Sequence, residues 1–526
     1  MKKFICIGLA CVMALSLATT AFAATIIVDD EDVEGAEYGA YKLLSATDLG
    51  KGKFNYTVNP TYRDALLAAI NSDEELTDEQ IINYIAALTS DTIQDFADAV
   101  FEQVKTMDPD EETSTNKFTD VDQGYYLIVE TETGSVEDFE EDTYSLVMLD
   151  TAGQEEITVN TKEELPQSDK KVKDANDTEG TVSDWQDSAD HDIGDKVSFQ
   201  ITFTLPGKFD EFTTYYVGVH DIQAEGLTYN NDLVVTVNGD EDEDLTEYFT
   251  YSAVAAGACE NGCTFHIVCT DIIAAAEAEN ISLEAGDKIV FNYTSTLNED
   301  AEFGATGNPN DMTIEFSNNP YGDGTSETPW DRVIVFTFKV DVDKYTTIDG
   351  NKTSLSGAGF TLYKEVATKT ADAKTGAEIK AELAALNAAI KATALKDDAY
   401  YEIAAEVKVD ADGDTFSFEG VDDGNYVLVE TTIPEGYNAW NAEEFTISAK
   451  HDIESADPQL TELTGGDLLT GYVNTGILHG EIENKSGIEL PETGGIGTTI
   501  FYAVGAVMVL VAVVLLVTKK RMTSAE

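Results

Sequence analysis

The chain has 526 residues, with 100 acidic and 31 basic side chains and a net charge of −69. A field of that sign, spread along the whole length, repels nucleic acid and anionic surfaces and excludes both as partners. With five histidines, no Gly-rich phosphate loop and no Ser/His/Asp or Cys/His set at a turn, the sequence offers no enzyme active site and calls for no cofactor.

The N-terminus reads as an export signal. Lys2 and Lys3 precede an apolar stretch, Phe4 to Leu17, and a small-residue site, Ala21-Phe22-Ala23, so residues 1–23 form a secretory signal peptide cleaved before Ala24. Cys6 and Cys11 leave with it. The length then predicts about three domains.

Residues 24–164 make the first. Thr77 and Gln80 form a capping box ahead of Ile81, Ile85 and Leu88 on one helical face, and Ile93, Phe96, Val100 and Val104 continue at helical spacing. The middle domain, residues 165–330, follows Leu165-Pro166. Val197, Phe199, Ile201, Phe203 and Leu205 alternate with polar residues, and the last strand is expected at Met312 to Asn318, before a turn over Asn319 to Gly324. Cys259, Cys263 and Cys269 are too few for a disulfide scaffold. Their spacing with His266 is looser than the paired knuckles of structural zinc sites. The favoured reading is therefore no metal, with one local disulfide and a spare thiol, or three buried thiols.

The third domain, residues 331–486, is expected to open with the alternating run Val333 to Phe338. It repeats the first: Gly35-Ala-Glu-Tyr-Gly-Ala-Tyr-Lys42 returns as Gly357-Ala-Gly-Phe-Thr-Leu-Tyr-Lys364, and Phe118 to Glu130 returns as Phe418 to Glu430. Each copy is a strand, an Asp/Gly turn and a strand of alternating Tyr, Val and Leu, the pattern of an antiparallel sandwich. Ile379, Leu383, Leu386 and Ile390 form one stripe of an Ala-rich helix. Asp410 to Asp414 begins like a calcium loop, but position twelve is Val421 where a Glu is required, so a hairpin turn is expected there. In residues 487–526, Leu490-Pro491-Glu492-Thr493-Gly494 precedes an apolar run, Ile500 to Val517, and the basic cluster Lys519-Lys520-Arg521. Eighteen helical residues span roughly 27 Å, enough to cross the hydrocarbon core of a bilayer with the basic cluster left in the cytoplasm.

That ending resembles the cell-wall sorting signal of Gram-positive surface proteins. The resemblance implies that a sortase thiol cleaves between Thr493 and Gly494 and holds the Thr493 carbonyl as a thioester. The third domain resembles the CnaB-type domains of Gram-positive pilins and adhesins: Lys344 lies on the strand before Gly357-Ala358, Glu430 ends Tyr426 to Glu430, and Asn484 lies in the final strand, Gly480 to Lys485. The resemblance implies a Lys344–Asn484 isopeptide bond promoted by Glu430. Attack on a carboxamide needs a neutral amine, which burial favours, and an acid held away from water keeps a proton to polarise the Asn484 carbonyl. The middle domain resembles the second domain of pilus shaft proteins, with Lys170, Asp221 as the acid and Asn318. Lys171 and Asn310 remain alternatives, because pattern alone separates neither pair. The first domain keeps Glu130, but its first strand, Thr25 to Asp30, has no lysine and therefore no bond.

Lys162, at the junction of first and middle domains, occupies the place where shaft pilins carry the lysine that accepts the thioester of the next subunit. Around it Asn160-Thr161-Lys162-Glu163 keeps only the lysine of the Tyr-Pro-Lys-Asn-like family pattern. Overall, the chain resembles the major shaft subunit of a sortase-assembled pilus. The fold implied is all-β dominated: three tandem Ig-like, CnaB-type sandwiches with helical insertions, plus signal peptide and transmembrane sorting signal. The implied partners are a pilin-specific and a housekeeping sortase, further copies of the chain, minor tip and basal pilins, and peptidoglycan, at the cell wall. The alternative is a monomeric wall-anchored adhesin or a basal pilin, which needs no acceptor lysine.

Overall fold

The computed structural model describes residues 23–487 except 30–32, 51, 72–75, 90–91, 134, 137–143, 161–164, 256–257, 260–261, 323 and 409–414. The expected signal peptide up to residue 22, Lys162, the pentapeptide at 490–494 and the apolar run at 500–517 lie outside these. Among the described residues no helix is long and apolar enough to cross a membrane.

In the first domain the strands that position the repeat are β1 (Ala24–Asp29), β2 (Glu37–Asp48), β3 (Lys117–Val121), β4 (Gly124–Glu132) and β5 (Glu156–Asn160). β1 pairs antiparallel with β3 and parallel with β5, and this sheet faces a second one built on β2 and β4. Alternation sends Ile26, Val28, Tyr38, Ala40, Tyr126 and Ile128 into the space between them. Helices α1 (Arg63–Ile70), α2 (Asp78–Ala86) and α3 (Ile93–Val104) bury Leu66, Ile81, Phe96 and Val100 with Tyr41 and Leu127 of the second sheet. The capping box forms as read: the Thr77 hydroxyl accepts the Gln80 N–H, and the Gln80 carboxamide accepts the Thr77 N–H at 2.9 Å.

The middle domain is a sandwich. β6 (Gln167–Val172), β7 (Lys196–Thr204) and β10 (Lys288–Leu297) form one sheet; β8 (Val217–Gln223), β9 (Phe265–Cys269), β11 (Asn308–Ser317) and β12 (Asp331–Phe336) belong to the other. Phe199, Ile201 and Phe203 from the first sheet meet Val219, Ile314 and Phe316 from the second. One expectation changes here. β12 does not open the third domain; it pairs antiparallel with β11, Val333 opposite Asn310, so the middle sheet extends to Phe336. The run reads as a start of the next domain for a physical reason: Val333 and Val335 pack in the middle core, while Ile334 and Phe336 pack in the third.

The third domain comprises β13 (Phe338–Ile348), β14 (Gly359–Val366), β15 (Tyr400–Lys408), β16 (Thr415–Val421), β17 (Gly424–Thr432), β18 (Glu443–His451) and β19 (Ile477–Glu483). β13 lies between β16 and β19 in one sheet, and β15, β14, β17 and β18 follow one another in the second. The first and last strands run parallel, with Lys344 opposite Ile482. β15 pairs into one sheet and β16 into the other, and the turn expected at Asp410 to Asp414 lies outside the described residues. Helix α4 (Gly376–Leu386) buries Ile379 and Leu383, but Leu386 is 71% exposed and Ile390 lies beyond its end, so the expected stripe is half its length.

Candidate functional site

Opposite layers of the middle sandwich supply the side chains of its buried polar centre. Lys170 projects from β6 and Tyr293 from β10; Asp221 comes from β8 and Asn310 from β11. All four are fully or almost fully buried. Lys170 Nζ lies 2.6 Å from Asp221 Oδ2 and 2.6 Å from Asn310 Oδ1. The Tyr293 hydroxyl donates to Asp221 Oδ2 at 2.9 Å and accepts from Asn310 Nδ2 at 3.0 Å. Burial lowers the Lys170 pKa, partly opposed by Asp221, and burial raises that of Asp221, partly opposed by Lys170. Asp221 Oδ1 has no hydrogen-bond partner, a further cost of keeping the carboxylate ionised. Both shifts run toward the neutral lysine and the protonated aspartate, the forms that amide exchange requires.

The expected asparagine is corrected by register. Asn310 sits opposite Gln223, two residues along from Asp221, whereas Asn318 lies eight residues further, about 26 Å at the rise of a strand. There the Asn318 carbonyl accepts the Tyr144 N–H at 3.1 Å, at the contact between first and middle domains. Lys171 points away from the core and pairs with Asp169 at 2.7 Å and Asp187 at 2.5 Å.

In the third domain the structure brings together all three expected residues. Lys344 on β13 donates to Asn484 Oδ1, just past the end of β19, and Asn484 Nδ2 donates to Glu430 Oε1 of the facing sheet at 2.8 Å. Lys344 Nζ is 3.5 Å from Glu430 and 5.2 Å from the centre of the Phe360 ring. Glu430 Oε2 accepts the Trp440 N–H at 2.7 Å, which holds the carboxyl in place. Burial lowers the Lys344 pKa to about 8, against the pull of Glu430. The amide nitrogen that would leave as ammonia thus faces the acid, and the carbonyl faces the amine.

The first domain has the acid without the nucleophile. Glu130 is buried and accepts from the Ser145 N–H at 3.1 Å and the Ser145 hydroxyl at 3.2 Å. Ile26 faces Phe118 as Val340 faces Phe418, so the position equivalent to Lys344 is Asp30, outside the described residues.

Two residues of consequence were not read from the sequence. Tyr293 bridges acid and amide in the middle centre; its only signal was an inward position in the alternation of β10. Lys364 is the repeat partner of Lys42. It sits where the third domain meets the middle one, its Nζ within 2.7 Å of Asp177, 2.8 Å of Asp192 and 2.6 Å of Asp422. Burial works against its charge, but Asp422, Asp192 and Asp177 outweigh it and hold its pKa above the ordinary lysine range.

Among the described residues three groups place three or more metal-capable atoms together: Asp177, Asp192, Asp195 and Asp422; Asp174, Asp190 and His451; and His220, Cys259, Cys263 and His266. In the first group the Lys364 ammonium already supplies the cation.

Residues 340–459 match the SpaA family, a prealbumin-like fold domain, and residues 482–523 match the LPXTG cell wall anchor motif. The chain is 26% identical over 402 residues to the trypsin-resistant surface T6 protein of Streptococcus pyogenes serotype M6, covering 68% of this chain and 70% of that one. Among solved structures it is similar to the T6 backbone pilin of that serotype, described as having a modular three-domain structure, at a TM-score of 0.52 and 17% identity over 90% of this chain and 100% of the other. The full-length major pilin SpaD of Corynebacterium diphtheriae aligns at a TM-score of 0.47 and 16% identity, again over 90% of this chain.

Proposed function

We propose that this chain, a major pilin anchored in the cell wall of a Gram-positive bacterium, is the shaft subunit of a covalent pilus in which each sandwich but the first seals itself with an isopeptide bond. The observation that carries the reading is the pair of buried lysine, acid and asparagine centres, one in the middle sandwich and one in the third, upstream of the sorting motif. In each, the lysine nitrogen attacks the asparagine Cγ, the acid donates to the amide group as the tetrahedral species collapses, and one ammonia leaves. The lysine's proton passes to the acid, so the acid is regenerated and each centre turns over once. Nothing is released but ammonia, and no external substrate is turned over.

A pilin-specific sortase would join Thr493 of one subunit to Lys162 of the next, and a housekeeping sortase would transfer the finished polymer to peptidoglycan. The donor follows the third domain and the acceptor precedes the middle one, so repeated joining is head-to-tail and does not close on itself. The discriminating experiment is a gel of wall extracts. Wild-type cells should show a ladder of high-mass species that disappears in Lys162→Ala, while the monomer remains folded, exported and anchored. A persisting ladder moves the acceptor to another lysine, Lys171 or Lys173 first. No ladder in wild-type cells under pilus-expressing conditions favours the monomeric adhesin.

A further inference from the structure

Cys259 and Cys263 bring two thiols over the outer face of the middle sheet, where two imidazoles already stand side by side. His220 on β8 and His266 on β9 are directly opposite in register, with ring centres 4.4 Å apart. Cys263 Sγ lies 3.6 Å from His220 Nδ1, and one ligand atom from each of His220, Cys259, Cys263 and His266 falls within 4.8 Å of the other three. Tetrahedral zinc with two sulfur and two nitrogen ligands has ligand-to-ligand edges of about 3.3 to 3.8 Å, so the set needs only a small contraction to close on the ion.

Two further observations point to a cation. His266 Nε2 is buried with no hydrogen-bond partner, a cost that a metal bond removes. His220 turns its other nitrogen, Nε2, to Glu315 Oε2 at 3.4 Å, and Glu315 is itself fixed by the Thr325 hydroxyl at 2.8 Å. A carboxylate behind the far nitrogen of a ligating histidine fixes the ring and raises its basicity. Cys269, by contrast, is buried in the apolar core and takes no part.

We propose that Cys259, Cys263, His220 and His266 form a structural zinc site that fastens Cys259 and Cys263 to the outer face of the middle sandwich. The sequence reading of no metal weighed only residues close together in the chain; His220 arrives from a strand forty-three residues before Cys263. Two thiolates balance the ion's charge, and binding releases two thiol protons. His220 adjoins Asp221 on β8, so the site lies on the opposite face of the strand that carries the middle-domain acid.

The test uses the exported protein, released from cells and handled without oxygen. Elemental analysis should give one zinc per chain. After chelation and reduction, Zn²⁺ alone should restore one equivalent and protect Cys259 and Cys263 from alkylation. Co²⁺ should give the visible bands of a tetrahedral site with thiolate ligands. Glu315→Gln should weaken zinc binding about 10- to 100-fold, Cys263→Ser and His266→Gln should weaken it more, and Cys269→Ser should leave it unchanged. Reduced wild-type protein that takes up no zinc overturns the proposal, as does a Cys259–Cys263 disulfide in the protein as exported. Undiminished uptake by a folded His220→Gln/His266→Gln variant overturns it as well.

Discussion

At the scale of single residues, the two centres make separable claims. The exported ectodomain should weigh less than its sequence by two ammonia molecules, with cross-linked peptides joining Lys344 to Asn484 and Lys170 to Asn310. Asn310→Ala should abolish the middle bond and Asn318→Ala should retain it, a direct test of the register in β11. Glu430→Ala should remove only the third-domain bond and Asp221→Ala only the middle one, both read by intact mass. Each bond closes a loop between residues 140 apart, so its loss should cost about 5 kcal/mol by the chain-entropy argument used for disulfides. Tyr293→Phe removes the hydroxyl that bridges Asp221 and Asn310 and should slow closure of the middle bond without preventing it, measured by mass during refolding. Glu430 was legible because it ends a repeated motif, and the lysines because each lies on the strand that opens its domain. The asparagine was not, since Asn310 and Asn318 have the same parity and both face inward; only the pairing of β11 with β8 separates them. His220 and Lys364 escaped for a related reason: what gives them meaning is distant in the chain.

Between elements, the joint of the middle and third domains is built from close backbone approach and buried charge. Gly304 (φ +77°) and Gly476 (φ +65°) lie back to back, and a Cβ on either would strike the backbone of the other. Ile193 N–H donates to the Gly420 carbonyl at 3.0 Å, and Asp423 N–H to Asp190 at 2.7 Å. Gly476→Ala should therefore open this joint while both cross-links still form, visible as faster proteolysis between the domains. Lys364→Met strands three aspartates around the lost ammonium and should cost about 3 to 5 kcal/mol by calorimetry. The joint is also pH-dependent. Burial opposes the charge on His451, but Asp174 and Asp190 outweigh it and raise its pKa from 6.5 to about 9. A raised histidine gives stability that is complete below pH 6.5 and lost as pH climbs towards about 9. Burial, with Asp190 nearby, raises Asp423 to about 7, so its ionisation loosens the joint in the same direction. The unfolding temperature should fall from about pH 4 to about pH 9, Asp423 acting in the lower part and His451 in the upper, and His451→Asn should flatten the upper part of that slope. Helices α2 and α3 were readable in advance from a cap and a 3.6-residue stripe. The placing of β15 and β16 in different sheets was not, because turn residues do not say which sheet receives the next strand.

At the scale of the whole molecule, the chain is a row of sandwiches, and the first and last strands of the third domain run side by side. β13 and β19 run parallel, and the Lys344–Asn484 pair ties them at the end from which the sorting signal continues. Tension between Thr493 and the middle domain would pass through that tie, so single-molecule stretching should show no extension from the loop of 140 residues in wild-type protein, and should show it in Glu430→Ala. The first domain, with no such tie, should extend at lower force than either of the others. The succession of three domains was legible from length and from the long repeat. Their seam was not, because β12 is apolar on both faces and satisfies two neighbours at once.

That seam sets how the protein can be cut. A fragment of the middle domain ending at Trp330 lacks a strand of its own sheet, and one ending at Phe336 carries Ile334 and Phe336 bare on its outer side. Conversely, a third domain begun at Phe338 presents the hollow those two side chains fill. Shuffling whole modules between related chains would therefore tolerate a crossover here only if the six residues of β12 travelled with the middle sandwich and matched the hollow they met. The two domains are separate in their sheets but constrained to vary together along this one strand.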